Sequence, residues 1–155
     1  MQLVRIRQTI NHHRTMAARK PLMEVITLGC SKNQVDTEHL LAQIGGNFDI
    51  VTGGGKVDYL LLNTCGFIGD AKEESIQAIL SAINRKKNGD AGKVIVFGCL
   101  SQRYMADMPS LMPEVDGWYG ARDLDPLIKA LGVAPDKSLN TERTLPPGRH
   151  SYAFL

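Results

Sequence analysis

The sequence predicts an α/β fold, an open and mostly parallel sheet of four to five strands with helices on both faces. Strand-like and helix-like segments alternate along the chain, which is typical of parallel strands joined by right-handed helical crossovers. The runs Asp58–Asn63 and Lys93–Phe97 are almost continuously apolar, as expected for strands covered on both faces. With 155 residues, 43% of them hydrophobic, the chain is long enough to bury the core of one three-layer domain.

Five segments are predicted as strands. The first is a β-rich run that Gly29 stops, and the second is followed by a turn of three glycines. The third and fourth are the two apolar runs, and the last is expected at an edge of the sheet. In chain order these strands are Glu24–Leu28, Phe48–Thr52, Asp58–Asn63, Lys93–Phe97 and Asp116–Tyr119. The arrangement that we expect for them is flavodoxin-like.

Four segments are predicted as helices, because their apolar residues recur at helical spacing. In chain order they are Asn33–Ile44, Asp70–Lys87, Gln102–Met108 and Asp123–Leu131. The buried stripe of the second helix is expected to consist of Ile76, Ile79, Leu80 and Ile83. The third helix is expected to end before Pro109, since the residue before a proline resists helical geometry.

The two ends of the chain differ in composition from its middle. Residues 1–22 contain five basic residues and no acidic one, which predicts a disordered basic tail, although a transit peptide has the same composition. Residues 134–155 contain three prolines and no clear period, which predicts a linker. The domain itself is expected to span residues 23–133.

Charge and cysteine usage restrict the compartment and the partners. The net charge is only +2, so no global basic field indicates nucleic-acid binding. No run of eighteen apolar residues is present, which argues against a membrane-spanning helix. The three cysteines are odd in number and far apart, unlike the disulfide framework of a small secreted domain. We therefore expect a cytoplasmic domain with reduced thiols, no membrane partner and no direct binding of nucleic acid.

Each of the three cysteines follows a predicted strand. Cys30, Cys65 and Cys99 each lie just past the carboxyl end of a predicted strand. In a parallel sheet the carboxyl ends of the strands share one edge. Three thiolates suit a [4Fe–4S] cluster that keeps one iron without a protein ligand. Zinc is a weaker candidate, because structural zinc sites use four ligands in short paired spacings. Three buried cysteines with a purely structural role are the remaining interpretation, and spacing alone does not exclude it.

Two other features have simpler explanations. Gly53-Gly54-Gly55-Lys56 precedes a strand instead of following one, so it is interpreted as a turn and not as a phosphate-binding loop. The basic run Arg85-Lys86-Lys87 is interpreted as the solvated end of a helix, where the carbonyl groups favour positive charge.

Around the cysteines the sequence resembles the amino-terminal domain of the radical S-adenosylmethionine methylthiotransferases. The resemblance covers about Met23 to Leu131. The stretches that carry it are LGCSKNQVDTE at 28–38, NTCGFI at 63–68, AKEESI at 71–76 and GCLSQRY at 98–104. Several of these stretches resemble the branch that modifies an aspartate of a small-subunit ribosomal protein more than the branch that modifies transfer RNA.

The resemblance implies a cofactor and a reaction. Cys30, Cys65 and Cys99 would bind an auxiliary [4Fe–4S] cluster, which we expect to be lost during handling in air. A second [4Fe–4S] cluster and S-adenosylmethionine would belong to a following radical domain, whose Cys-x-x-x-Cys-x-x-Cys motif this chain lacks. Residues 134–155 would lead into that missing domain, so the fragment is not expected to be catalytic alone and contains no catalytic residue of its own.

The resemblance also indicates the partners, and three alternatives to it remain open. The expected partners are the ribosomal-protein substrate and the enzyme's own radical domain. A transfer-RNA-directed enzyme, a cluster-free docking module and a flavin- or nucleotide-binding domain are the alternatives. Near the ligands, Asn33, Asn63 and Gln102 are expected either to donate hydrogen bonds to cluster sulfurs or to close the turns after the strands.

Overall fold

The computed structural model describes residues 19–66 and 69–141. Its strands are β1 (Leu22–Thr27), β2 (Asp49–Val51), β3 (Val57–Thr64), β4 (Ala91–Gly98) and β5 (Gly117–Trp118). Its helices are α1 (Ser31–Ile44), α2 (Gly69–Lys87), α3 (Cys99–Arg103), α4 (Met108–Leu111) and α5 (Asp125–Ala130), followed by a 3₁₀ helix at Lys137–Thr141. Apart from the α3–α4 region, the element bounds lie within two residues of the predicted ones.

The five strands form one parallel sheet in the order β2-β1-β3-β4-β5. This order confirms the predicted open α/β sheet and its flavodoxin-like topology. In the register of the sheet, Asn63 of β3 lies between Thr27 of β1 and Phe97 of β4. The chain runs from β1 to one side of the sheet and from β3 to the other, so the loops after these two strands diverge. Open α/β sheets bind ligands in the crevice that such a divergence creates.

Helices cover both faces of the sheet, as predicted. Side chains alternate along β3, so Leu60 and Leu62 face one core and Leu61 faces the other. The first core is completed by α2, α3 and α4, and the second by α1 and α5. The continuous apolar runs of β3 and β4 are therefore explained by burial on both sides.

The predicted third helix, Gln102–Met108, is wrong. The observed α3 begins at Cys99 directly after β4, and α4 begins only at Met108. Pro109 does not end a helix but lies in the first turn of α4, where no intrahelical N–H bond is needed. Apolar spacing could not reveal this break, because both pieces are at most five residues long.

The buried face of α2 is rotated from the predicted stripe. Leu80 was expected in the core, but it is 41% exposed. The face against the sheet runs instead through Ser75, Ile79, Ala82 and Ile83. Because Ser75 and Ala82 are small, the helix approaches the sheet along this line, and Leu80 turns outward.

The basic run at the end of α2 is not merely solvated, as was expected. Arg85 forms an ion pair of 2.8 Å with the buried Glu24 and donates to the carbonyl of Gly55. The two lysines that follow pair with Asp116 and Glu114. The glycine turn between β2 and β3 is observed as predicted, with Gly53 and Gly54 at positive φ.

Most of the predicted tail and linker lies outside the described residues, namely 1–18 and 142–155. Of the described part, Asp136 donates its N–H to Gln43 Oε1 at 2.8 Å, and Gln43 Nε2 donates to the carbonyl of Asp136 at 2.8 Å. The segment after α5 is thus fastened to α1. Across residues 19–66 and 69–141, no helix is long and apolar enough to cross a membrane.

Candidate metal centre

The structure places the three cysteines at the carboxyl ends of three neighbouring strands. Cys30 is the N-cap residue of α1 after β1, Cys65 follows β3 directly, and Cys99 is the first residue of α3 after β4. Because β3 lies between β1 and β4, Cys65 occupies the middle position. We call the space that these residues border the cysteine crevice. It lies where the loops after β1 and β3 diverge.

Gly29 brings the loop after β1 into direct contact with Cys65. Gly29 has φ +83°, and a Cβ atom built on it would lie 2.7 Å from Cys65 Sγ. Only glycine fits this position, since any side chain would collide with the thiol and would strain the backbone. Cys30 follows Gly29 directly in the chain, so the same loop carries it.

The cysteines differ in exposure. Cys65 is 4% exposed, Cys99 is half-buried and Cys30 is exposed. Exposure therefore increases from Cys65 through Cys99 to Cys30.

Ser75 fixes the backbone of Cys65. Its hydroxyl accepts the N–H of Cys65 at 3.0 Å and donates to the Cys65 carbonyl at 2.9 Å. Ser75 itself is fully buried in α2. Sequence reasoning missed this residue, although it lies within the AKEESI stretch.

Two buried asparagines connect the turns around the crevice. Asn33 Nδ2 donates to the carbonyl of Leu28 at 2.9 Å, and Asn33 Oδ1 lies 3.6 Å from Cys99 Sγ, within reach of its S–H. Asn63 Nδ2 donates to the carbonyl of Asn33 at 2.7 Å and to Thr37 Oγ1 at 3.1 Å. Asn33 thus closes the turn after β1 and also touches a thiol, whereas the bonds of Asn63 hold the start of α1 against β3.

Gln102 has a different environment from the two asparagines. It is exposed, and a Cβ atom on Gly120 would collide with its amide group. Gln102 therefore packs against the segment after β5. It lines the same cavity as Cys99.

The surroundings of Cys99 affect the pKa of its thiol in two opposite directions. Burial raises the pKa of the Cys99 thiol, the nearby Lys32 lowers it, and the thiols of Cys65 and Cys30 raise it further. The net result is a raised pKa of the Cys99 thiol. The hydrogen bond from Lys32 to Asp36, 2.6 Å long, raises the pKa of Lys32 and keeps it cationic. Since metal ions bind the thiolate, Lys32 favours the form that coordinates.

The three cysteines offer thiolate donors, which restricts the metals that they could bind. Thiolates select iron–sulfur clusters, zinc and copper(I). In residues 19–66 and 69–141, no three His, Cys, Asp or Glu side chains lie close enough together to hold a single metal ion. In a cubane each thiolate binds a different iron atom, so the sulfur atoms need not meet at one point. Cys30, Cys65 and Cys99 supply the three thiol groups that such a cluster would need.

A second contact joins α2 to the end of α3. Lys72 Nζ donates to the hydroxyl of Tyr104 at 3.1 Å and lies 4.4 Å from the centre of its ring. This hydrogen bond lowers the pKa of Tyr104. The contact links the segments that follow Cys65 and Cys99. Both partners lie in stretches singled out from the sequence, but their pairing was not foreseen.

The fold and the crevice define a class: an α/β domain of flavodoxin-like topology with a thiol at the end of each of three adjacent strands. The chain matches the family model described as "Uncharacterized protein family UPF0004" over residues 23–120. It therefore belongs to this family. The match contains all three cysteines.

Curated relatives agree with this assignment. A protein of Parabacteroides distasonis is 44% identical over 140 residues, which cover 88% of this chain and 32% of the relative. Proteins of Bacteroides thetaiotaomicron (44% identity over 136 residues, 86% and 31% coverage) and Chlorobaculum parvum (42% over 142 residues, 91% and 32% coverage) are similar. All three are named "Ribosomal protein uS12 methylthiotransferase RimO".

These findings confirm the resemblance to the amino-terminal domain of methylthiotransferases of the ribosomal-protein branch. The chain spans about a third of the length of these relatives, 32% in the first of them.

Proposed function

We propose that Cys30, Cys65 and Cys99 bind one [4Fe–4S] cluster and leave its fourth iron without a protein ligand. The observation that carries this proposal is the position of the three thiols after β1, β3 and β4 at the diverging loops of the sheet. A structural role for three buried cysteines agrees poorly with the exposure of Cys30.

Each part of the crevice has a distinct task in this proposal. Ser75 holds the backbone of the buried Cys65, and Asn33 lies against the sulfur of Cys99. Gly29 lets the loop that carries Cys30 come into contact with Cys65. Lys32 offsets the negative charge that three thiolates bring. When bound, the cluster would supply an open iron site for a small sulfur ligand.

For the whole protein we propose the methylthiolation of an aspartate on a small-subunit ribosomal protein. The names of the relatives support the ribosomal protein as the substrate, in preference to transfer RNA. The partner within the enzyme would be a radical domain that binds S-adenosylmethionine and the second [4Fe–4S] cluster. This division of labour makes the chain a cluster-binding part that does not catalyse the reaction alone. Work on a ribosomal protein also favours the cytoplasm.

Anaerobic reconstitution with iron and sulfide tests the cluster proposal. The wild-type chain should take up about four irons and gain the broad visible absorption of a cubane. A chain with all three cysteines changed to alanine serves as the control, and it should take up none specifically. Equal iron content in the two proteins would refute the proposal.

A further inference from the structure

A basic groove lies directly beside Cys99. The cavity has a volume of about 680 Å³ and lies between α1, α3 and the segment after β5. We call it the Cys99 groove. Its principal lining residues are Lys32, Asp36, Cys99, Gln102, Arg103 and Arg122. Three of these side chains are cationic and one is acidic, so the groove attracts anions.

Among the described residues, two of the three cations of the groove have no acidic partner. Lys32 is already paired with Asp36 at 2.6 Å. Within the described part of the chain, neither Arg103 nor Arg122 has a carboxylate within ion-pair distance. Arg103 lies 5.8 Å from the ring of Tyr104, and both arginines are exposed. Their guanidinium groups are therefore available to an external anion.

The walls of the groove are fixed before any ligand arrives. Gln102 of α3 packs closely against Gly120 in the segment after β5. The N–H of Tyr119 donates to the carbonyl of Val96 at 2.9 Å and ties the same segment to the sheet. On the other side, Asn33 fastens the first turn of α1. A preformed site loses less entropy on binding.

We propose that Arg103 and Arg122 bind an acidic side chain of a polypeptide in the Cys99 groove. A guanidinium group matches a carboxylate through paired hydrogen bonds. We favour a carboxylate over the phosphates of a nucleic acid, because the net charge of the chain is only +2 and no broad basic field supports binding to a phosphate backbone. The identity of the polypeptide rests on the proposed function, in which it is the protein substrate. The inference then places an acidic residue of that substrate beside Cys99.

Titration of the full chain without iron, followed by NMR, tests the groove independently of the cluster. The probe is a capped glycine pentapeptide with a central aspartate, and the reference is the same peptide with asparagine. The aspartate peptide should shift the amides of Gln102 and Ala121. We expect it to bind at least about ten-fold more tightly than the asparagine peptide, because it alone forms charge-assisted bonds.

Variants locate the binding. The double variant Arg103→Gln/Arg122→Gln should lose about ten-fold in affinity for the aspartate peptide. Arg19→Gln is the matched control, since Arg19 is an exposed arginine at the opposite end of the sheet, and it should bind like wild type. Equal affinity for both peptides, no effect of the double variant, or tighter binding of inorganic phosphate would each overturn the inference. A failure of iron uptake would refute the cluster proposal and leave this result unchanged.

Discussion

The hydroxyl of Ser75 closes both backbone hydrogen bonds of Cys65, accepting its N–H at 3.0 Å and donating to its carbonyl at 2.9 Å. Both residues are buried, and ten positions separate them in the chain. One side chain of α2 thus fixes the central ligand candidate at the end of β3. Water cannot replace this hydroxyl without entering the core.

Ser75→Ala should destabilise the chain by about 1–3 kcal/mol, because it leaves a buried N–H and a buried carbonyl without partners. Chemical denaturation measures this free energy of unfolding. Ser81→Ala is the control, since Ser81 is exposed on the same helix. Equal unfolding midpoints for the two variants would show that Ser75 does not hold Cys65.

Gly29→Ala should prevent the close approach of the loop after β1 to Cys65. The new Cβ would lie 2.7 Å from Cys65 Sγ, and the backbone has a positive φ. Gly53→Ala separates backbone strain from steric collision. Gly53 also has a positive φ, +103°, but a Cβ atom on it would meet no other atom. At Gly53, backbone strain alone should lower the free energy of unfolding by about 1–2 kcal/mol. At Gly29 we expect about 1–3 kcal/mol more from the collision.

Iron uptake gives a second measure of the same pair of variants. Gly29→Ala should reconstitute poorly, since Cys65 Sγ must move away from the new methyl group, whereas Gly53→Ala should reconstitute like wild type. If both variants lose the same stability and take up iron equally well, Gly29 has no special role in the crevice.

Asn63→Asp should destabilise the chain by about 3 kcal/mol near neutral pH, because it buries a charge in place of an amide donor. Burial disfavours the charged carboxylate and raises the pKa of the new side chain in the folded state. The loss should therefore grow as the pH rises above about 4, where the aspartate ionises in the unfolded chain.

Asn84→Asp, at an exposed position of α2, is the control for this series. It should show little loss at any pH. Unfolding free energies measured at about pH 3 and pH 7 decide the matter, because the unfolded reference pKa of aspartate, about 3.9, lies between these two pH values. A loss of stability in Asn63→Asp that does not change with pH would contradict the buried position of this side chain.

Tyr104 should titrate below its ordinary value because of the hydrogen bond from Lys72. Lys72→Met removes the donor and should raise the pKa of Tyr104 towards about 10. NMR of ring-labelled tyrosine follows this titration. Lys56→Met, which changes an exposed lysine at the start of β3, should leave Tyr104 unchanged. Identical titration in wild type and Lys72→Met would show that the contact between α2 and α3 does not exist in solution.

The sequence was sufficient to predict the parallel sheet and the cysteines at its edge. Long apolar runs such as Leu60–Leu62 mark strands buried on both faces, and glycines mark their ends. It was not sufficient for contacts between remote segments. Nothing local to Ser75, Lys72 or Arg85 indicates their partners, since each pairing depends on how α2 is rotated against the sheet. The split between α3 and α4 was missed because helices of four or five residues show no apolar period.

The most direct test of the central claim is the iron content of three single variants, Cys30→Ala, Cys65→Ala and Cys99→Ala, reconstituted anaerobically in parallel with the wild-type chain. If the three thiols bind one cluster, each variant should lose most of the iron, because two thiolates are too few to hold it. A variant that keeps the full iron content of the wild type would remove its cysteine from the site and contradict the claim.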